Sequence, residues 1–417
     1  MSPLKFELTC WFIWVIFFEL MIHHPVRASM SGVKAFRDSV IIAEKDTDIN
    51  ELDIIDVYNI VFEPQKAVIK APKIKMGLGP FFTAVPTFGY SMSSGYLFSI
   101  TTRTSFFTHS DRHKMSTVMV NFSYSLKNQY WTTINSNIFP ERPGLNLSGD
   151  WRAYKFPTYT FGLGTHSISK AQPIDYVYLR LYQKAKKKIV RDFYAGIGYM
   201  LDYHSSIRDR DDSTQTTDFV KYGLTKNSMS SGFSVDILFD SRTNLNNPEK
   251  GFYCNVAYRK NLIFLGSDQK WQSLLIDTRK YCRFPTHSRN ILAFWSYNYI
   301  TLKGNPPYLD LPCTGGDDFS NTGRGYVQGR YRGKNFVYAE SEYRFALTRN
   351  GLLGGVAFVN AESASEWPSN RFNAMAFGYG PGLRIKFNKR SNINVAIDYG
   401  LGEGGSRGFI FSLGEIF

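Results

Sequence analysis

Cysteine is scarce in this chain of 417 residues, with four in all: Cys10, Cys254, Cys282 and Cys313. They form no CxxC pair and no zinc-ligand spacing, so the sequence indicates neither a zinc module nor a disulfide scaffold. Cys254 and Cys282 are spaced to face each other across one hairpin and are the single candidate disulfide. Long apolar runs are missing too. Mean hydropathy is −0.25, and beyond the N-terminal leader no stretch has the length of a membrane-spanning helix. Basic charge is plentiful, at a net +14, but not clustered as a nucleic-acid surface requires. The run Lys184, Lys186, Lys187, Lys188 reads as an exposed turn. The histidines His109, His113, His166, His204 and His287 are scattered, and no Ser/His/Asp set assembles. The chain is therefore expected to be no enzyme, to bind no metal or other cofactor, and to have no nucleic-acid partner. Gly378-Tyr379-Gly380-Pro381-Gly382 is no dinucleotide fingerprint, because strand alternation continues through Arg384 and Lys386 with no helix behind it.

What the chain does have is 34 Phe, 26 Tyr and 34 Gly. Aromatic residues favour strands, and glycine favours turns and close backbone approach. Residues 1–28 read as a signal peptide: Lys5 is the basic start, Trp11 to Phe18 the short apolar core, and Val26-Arg27-Ala28 the cleavage site. Residues 29–75 read as a short periplasmic N-terminal arm with one element near Ile54 to Phe62. Residues 76–417 read as a single domain.

That domain alternates with period 2. Val118, Val120, Phe122 and Tyr124 interleave with Met119, Asn121 and Ser123. Phe233, Val235, Ile237 and Phe239 interleave with Ser234, Asp236 and Asp240. Ile393, Val395, Ile397 and Tyr399 interleave with Asn394, Ala396 and Asp398. One apolar and one polar face per run is the pattern of strands. The runs number about sixteen, many of them longer than soluble strands usually are. Apolar-out, polar-in strands of about ten residues suit a bilayer, and a hydrocarbon environment requires the sheet to close. The expectation is an all-β, 16-stranded antiparallel transmembrane β-barrel in the outer membrane. Tight turns such as Thr348-Arg349-Asn350-Gly351 and Asn388-Lys389-Arg390-Ser391 would lie at one end and the long loops at the other. Outer-membrane lipid is the partner this fold implies. At the end of the chain, Phe409, Phe411, Leu413 and Phe417 read as sharing one face, which resembles the C-terminal signal of Gram-negative barrels that the barrel assembly machinery reads during biogenesis.

Between the eleventh and twelfth runs lies a loop of roughly thirty residues, long enough to suggest a function. It carries Gly323-Arg324-Gly325-Tyr326. This motif and its position resemble the bacterial surface antigen family, the barrel domain of the outer-membrane insertase superfamily (BamA/TamA-like). That family has Val/Ile-Arg-Gly-Phe/Tyr in a loop that folds back into the lumen. Four further stretches resemble the family: Asp240-Ser241-Arg242 with Pro248-Glu249-Lys250-Gly251, Glu342-Tyr343-Arg344, Phe358-Val359-Asn360-Ala361-Glu362 (for Phe-x-Asp-x-Gly), and Leu413-Gly414-Glu415-Ile416-Phe417. Gly323 replaces the aliphatic residue and Asn360 the aspartate. The N-terminal arm has no room for a series of periplasmic transport-associated domains.

The resemblance implies assistance with insertion or translocation of proteins or lipids, with a periplasmic partner or a client protein. The alternative is a passive or gated channel, or a structural surface antigen without a client. The expected latch consists of Arg324, Gly325, Tyr326, Glu342 and Asn360. Alternation sends Glu340 and Glu342 inward, where the guanidinium would fork onto Glu342 and bond the Asn360 side chain.

Overall fold

The computed structural model describes residues 51–62, 80–91, 94–107, 115–140, 144–166, 171–210, 217–389 and 392–417. The signal peptide, most of the arm, Cys10, His109 and His113 lie outside the described residues.

The period-2 runs form one antiparallel meander. Its strands are β1 (Phe81–Ser91), β2 (Gly95–Phe107), β3 (Met115–Ser125), β4 (Gln129–Ile138), β5 (Leu145–Lys155), β6 (Thr158–Thr160), β7 (Gln172–Val190), β8 (Phe193–Asp209), β9 (Ser228–Asp240), β10 (Gly251–Asn261), β11 (Gln272–Arg283), β12 (Ile291–Lys303), β13 (Asn335–Ala346), β14 (Leu353–Ala364), β15 (Ala376–Asn388), β16 (Ile393–Gly402) and β17 (Arg407–Leu413). β5 and β6 both pair with β7 and are one strand broken at Phe156-Pro157, where proline removes a ladder donor. The sheet therefore has the sixteen staves expected and is nearly closed. β1 and β17 approach within 8 Å, and Val85 packs with Leu413 and Ile393. No strand ladder joins β1 to β17 among the described residues.

The two faces are inverted relative to a soluble sheet. Phe98, Ile100, Phe122, Ile197, Phe233, Val235, Val359, Phe377 and Tyr379 are exposed. Ser99, Ser123, Ser234, Asp236, Glu340, Glu342, Asn360 and Asp398 are buried. Leaving one such aromatic or branched side chain in water forgoes roughly 1.5–3 kcal/mol, so an outward face made of them needs lipid around it. Among the described residues no helix is long and apolar enough to cross a membrane; the crossing is made by strands. β7 and β8 run 19 and 17 residues, beyond the roughly ten that span a bilayer. Their loop-end residues Ile174 and Ile207 join Leu163, Tyr308, Leu311 and Phe219 of the short helix Asp218–Gly223 in an apolar cap.

Three sequence expectations are corrected. Lys184, Lys186, Lys187 and Lys188 form no exposed turn: they lie within β7, a strand paired on both sides, and Lys186 is buried. Cys254 and Cys282 are free thiols: Cys254 stands opposite Thr278 and Cys282 opposite Leu292, so register keeps them apart. The C-terminal aromatics do not share one face. Phe409 and Phe411 are exposed, but β17 ends at Leu413, Gly414 turns the chain at φ +111°, and Phe417 is buried. Phe417 lies 5.2 Å from Trp295 and 6.2 Å from Tyr281, ring centre to centre. Glu415 explains the departure: Arg384 Nε donates to it at 2.7 Å and Arg344 lies at 3.7 Å, which draws the last residues to the inward face.

Candidate functional site

The segment between β12 and β13 is held by its own hydrogen bonds before it meets the wall. Asp317 accepts the backbone N–H of Phe319 at 3.2 Å, an Asx turn, and those of Asn321 (2.8 Å) and Thr322 (2.7 Å). Gly329 N–H donates to the Thr314 carbonyl, and Thr314 N–H to that of Tyr331. Arg332 Nη1 donates to the carbonyls of Tyr308, Leu309 and Leu311. These bonds fold the loop over itself and project Arg324 at its tip.

Arg324 is 2 % exposed. Its Nη1 donates to Asp398 Oδ2 at 2.6 Å and its Nη2 to Glu342 Oε2 at 2.6 Å, while Nη2 and Nε both donate to the Glu340 carboxylate. The guanidinium centre lies 3.7 Å from the middle of the Phe358 ring. A planar cation with five donors satisfies several carboxylates and stacks on an aromatic at once, which an ammonium cannot. The carboxylates are shared with two wall arginines. Arg384 Nη1 reaches Asp398 Oδ1 at 2.5 Å, and Arg344 bonds Glu342. Buried charges persist only when paired in this way.

The expected latch residues thus come together, with one change of partner. Asn360 does not meet the guanidinium. Its Nδ2 donates to the Arg324 backbone carbonyl at 2.9 Å. The third carboxylate is Asp398, on β16, which the resemblance did not point to. Its signal was present in the inward phase of Asn394, Ala396 and Asp398. Tyr326 OH donates to the Phe377 carbonyl at 2.5 Å and accepts the Glu403 N–H at 3.0 Å. Ser406 Oγ donates to the Gly325 carbonyl at 2.7 Å.

The motif glycines are required by space. A Cβ on Gly325, whose φ is +110°, would stand 2.7 Å from the Leu401 carbonyl oxygen. A Cβ on Gly323 would meet Thr314 Cγ2 at 2.3 Å and the Glu362 carboxylate at 2.9 Å. The space that an aliphatic side chain at 323 would need is thus taken by Thr314 and by Glu362 of β14.

A second anchor lies at the start of the loop. Ser230 Oγ donates to Asp310 Oδ2 at 2.5 Å, and His204 Nδ1 stands 3.5 Å from Asp310 Oδ1. Burial first, then the Asp202 carboxylate, push Asp310 up to about 7. Nearby, Arg259 and Arg180 bond Asp202, and the Tyr178 and Tyr182 hydroxyls donate to it. A cavity of about 690 Å³ opens beside this second anchor, lined by Asp202, His204 and Asp310, by wall residues including Arg152, Lys184 and Asp277, and by loop residues including Asp318 and Asn321. Among the described residues no cluster of His, Cys, Asp and Glu suits a metal ion. His166 and His287 lie apart from both anchors, at the loop end and in the β11–β12 turn.

Solved barrels share this architecture. CdiB from Acinetobacter baumannii aligns at 12 % identity over 80 % of this chain and 59 % of its own, with a TM-score of 0.52. CdiB from Escherichia coli aligns at 11 % identity over 80 % and 60 %, with a TM-score of 0.50. BamA from Haemophilus ducreyi lacking POTRA domains 1–3 aligns at 13 % over 79 % and 68 %, with a TM-score of 0.49. The chain spans about three fifths of the length of either CdiB, and at these identities the likeness is one of fold. No curated protein matches the chain by sequence. Residues 94–417, however, match the Omp85 superfamily domain from the second stave to the end, and the chain belongs to the Omp85 superfamily of outer-membrane β-barrels.

Proposed function

We propose that this barrel assists the insertion or translocation of proteins or lipids at the outer membrane, and that the β12–β13 loop is its latch within the lumen. The observation that carries the reading is the Arg324 cluster. A side chain from a loop tip satisfies carboxylates on β13 and β16 at once, so seating the loop ties β16, next to β17 at the seam, to β13 three staves away. Releasing one buried, multiply bonded arginine would free both. The function is one of passage and assembly rather than of covalent catalysis. Its partners are lipid, the assembly machinery that folds the barrel, and a client or soluble partner protein.

Depletion tests this. Loss of other barrels from the membrane when the protein is removed supports assistance; unchanged barrel levels overturn it. A gated channel is the second reading, favoured by the cavity of about 690 Å³ between loop and wall. Single-channel recording separates the two: a channel conducts solute at a steady level in the purified state and needs no client.

A further inference from the structure

The short helix α1 (Ile54–Phe62) stands outside the lipid-facing strands, and among the described residues its apolar side chains find no protein to bury them. Seven of its nine residues are apolar, and none is buried. Ile55, Tyr58, Val61 and Phe62 are 46 %, 55 %, 61 % and 69 % exposed. Helix formation itself is well specified. Asp53 and Asp56 exchange backbone-to-carboxylate bonds at 2.9 Å, a reciprocal cap at the start of the helix. The polar residues Asp56 and Asn59 are three apart and so share one side; the rest of the circumference is apolar.

The helix is fastened by its polar edge. Lys389 N–H donates to Asp53 Oδ2 at 3.0 Å, and Lys389 Nζ lies 2.7 Å from Asp56 Oδ2. Leu52 N–H donates to the Asn350 carbonyl at 3.1 Å. Both attachments are to turns at the short-turn end of the barrel, β13–β14 and β15–β16. Partial burial opposes ionisation of Asp56, but the Lys389 ammonium and the Asp53 N–H outweigh it and hold this carboxyl below its usual range.

The surroundings identify the occupant. The outward apolar face of the barrel runs down to these same turns, with Leu383 and Leu347 exposed. The neighbouring turns carry exposed Arg289 and Arg349, whose Arg289 Nη1 donates to the Arg349 carbonyl. Glu249 on the adjoining turn is paired with Arg283, and Asp53 and Asp56 are taken up by Lys389. An apolar helix with an aromatic pair, Tyr58 and Phe62 at 5.1 Å, beside basic residues at the edge of a lipid-facing belt has the composition of an interfacial helix. We propose that α1 is a membrane foot. It lies in the headgroup boundary of the leaflet at the short-turn end, apolar side in the acyl chains, with Arg289 and Arg349 against anionic headgroups.

The test uses the full chain, reconstituted in bilayers of phosphatidylcholine with and without phosphatidylglycerol. An environment-sensitive fluorescent amino acid replaces Val61, a side chain that supports no core, and a second sample carries it at the exposed loop residue Lys226 as a water-facing control. Expected are a blue-shifted emission at position 61, quenching by lipids spin-labelled on the upper acyl chain, loss of quenching by aqueous iodide, and a larger shift with phosphatidylglycerol. Iodide access equal to that at position 226 in both lipids would overturn the proposal. So would protection from iodide without quenching by the labelled lipids, since the helix would then be packed on protein. An unchanged shift on adding phosphatidylglycerol would overturn the role given to Arg289 and Arg349.

Discussion

The two ends of the β12–β13 loop meet the barrel wall in opposite ways. At its tip, the loop offers a cation, Arg324, and the wall supplies three carboxylates, Glu340, Glu342 and Asp398. At its start, the loop offers an anion, Asp310, to a wall that already contains Asp202 and supplies a hydroxyl and an imidazole. Among the described residues no lysine or arginine is ion-paired to Asp310. The tip is thus over-satisfied by charge-assisted bonds, while the start is held by hydrogen bonds to a group that burial discourages from ionising. The lesson is that one loop can carry a firm anchor and a conditional one, set by how each charge is matched.

Removing the tip cation should break the contrast most severely. Arg324→Ala leaves buried carboxylates facing one another and is expected to cost about 3–5 kcal/mol, read as rapid proteolysis of residues 304–334 in a barrel that still resists unfolding. Arg324→Lys keeps the charge but not the fork, and should lose about 1.5–3 kcal/mol by the same measurement, the worth of hydrogen bonds to charged groups. Asn360→Asp sharpens the comparison, because it restores the family's residue. Here it should weaken seating by about 1–3 kcal/mol, since the Nδ2 donor to the Arg324 carbonyl is replaced by an acceptor. A stabilised loop in that variant would mean that Asn360 faces the guanidinium after all.

The smallest effect is expected at the start of the loop. The folded pKa of Asp310, about 7, lies above the unfolded carboxylate value of about 3.9. The seated state therefore binds the extra proton, and seating weakens as pH rises from about 4 to about 7, then levels off. The groups facing Asp310 are His204, Ser230, Asp202, Arg180 and Arg259. Asp310→Asn should flatten the protease-sensitivity profile over that range while leaving the Arg324 tip engaged.

Much of this was legible residue by residue. The alternation through Ile393–Tyr399 and Phe233–Phe239 identified strands and their outward faces, because a pleated strand sends successive side chains to opposite sides. It equally placed Glu340, Glu342 and Asp398 inward. What it left open was which inward groups meet. Asp398 stands 74 residues from Arg324 in sequence, on a stave whose height against β13 depends on register summed over three ladders.

The sequence alone determined the all-β barrel, its sixteen staves, the position of the Arg324 loop and the short helix at Ile54–Phe62, because each rests on local periodicity, turn chemistry or capping. Tertiary structure alone decided the exchange of Asn360 for Asp398, the inward turn of Phe417, the separation of Cys254 from Cys282 and the fastening of α1 to Lys389. These depend on stagger between staves and on where a chain turns after its last ladder bond, and period 2 fixes the face of a side chain without fixing its height or its neighbour.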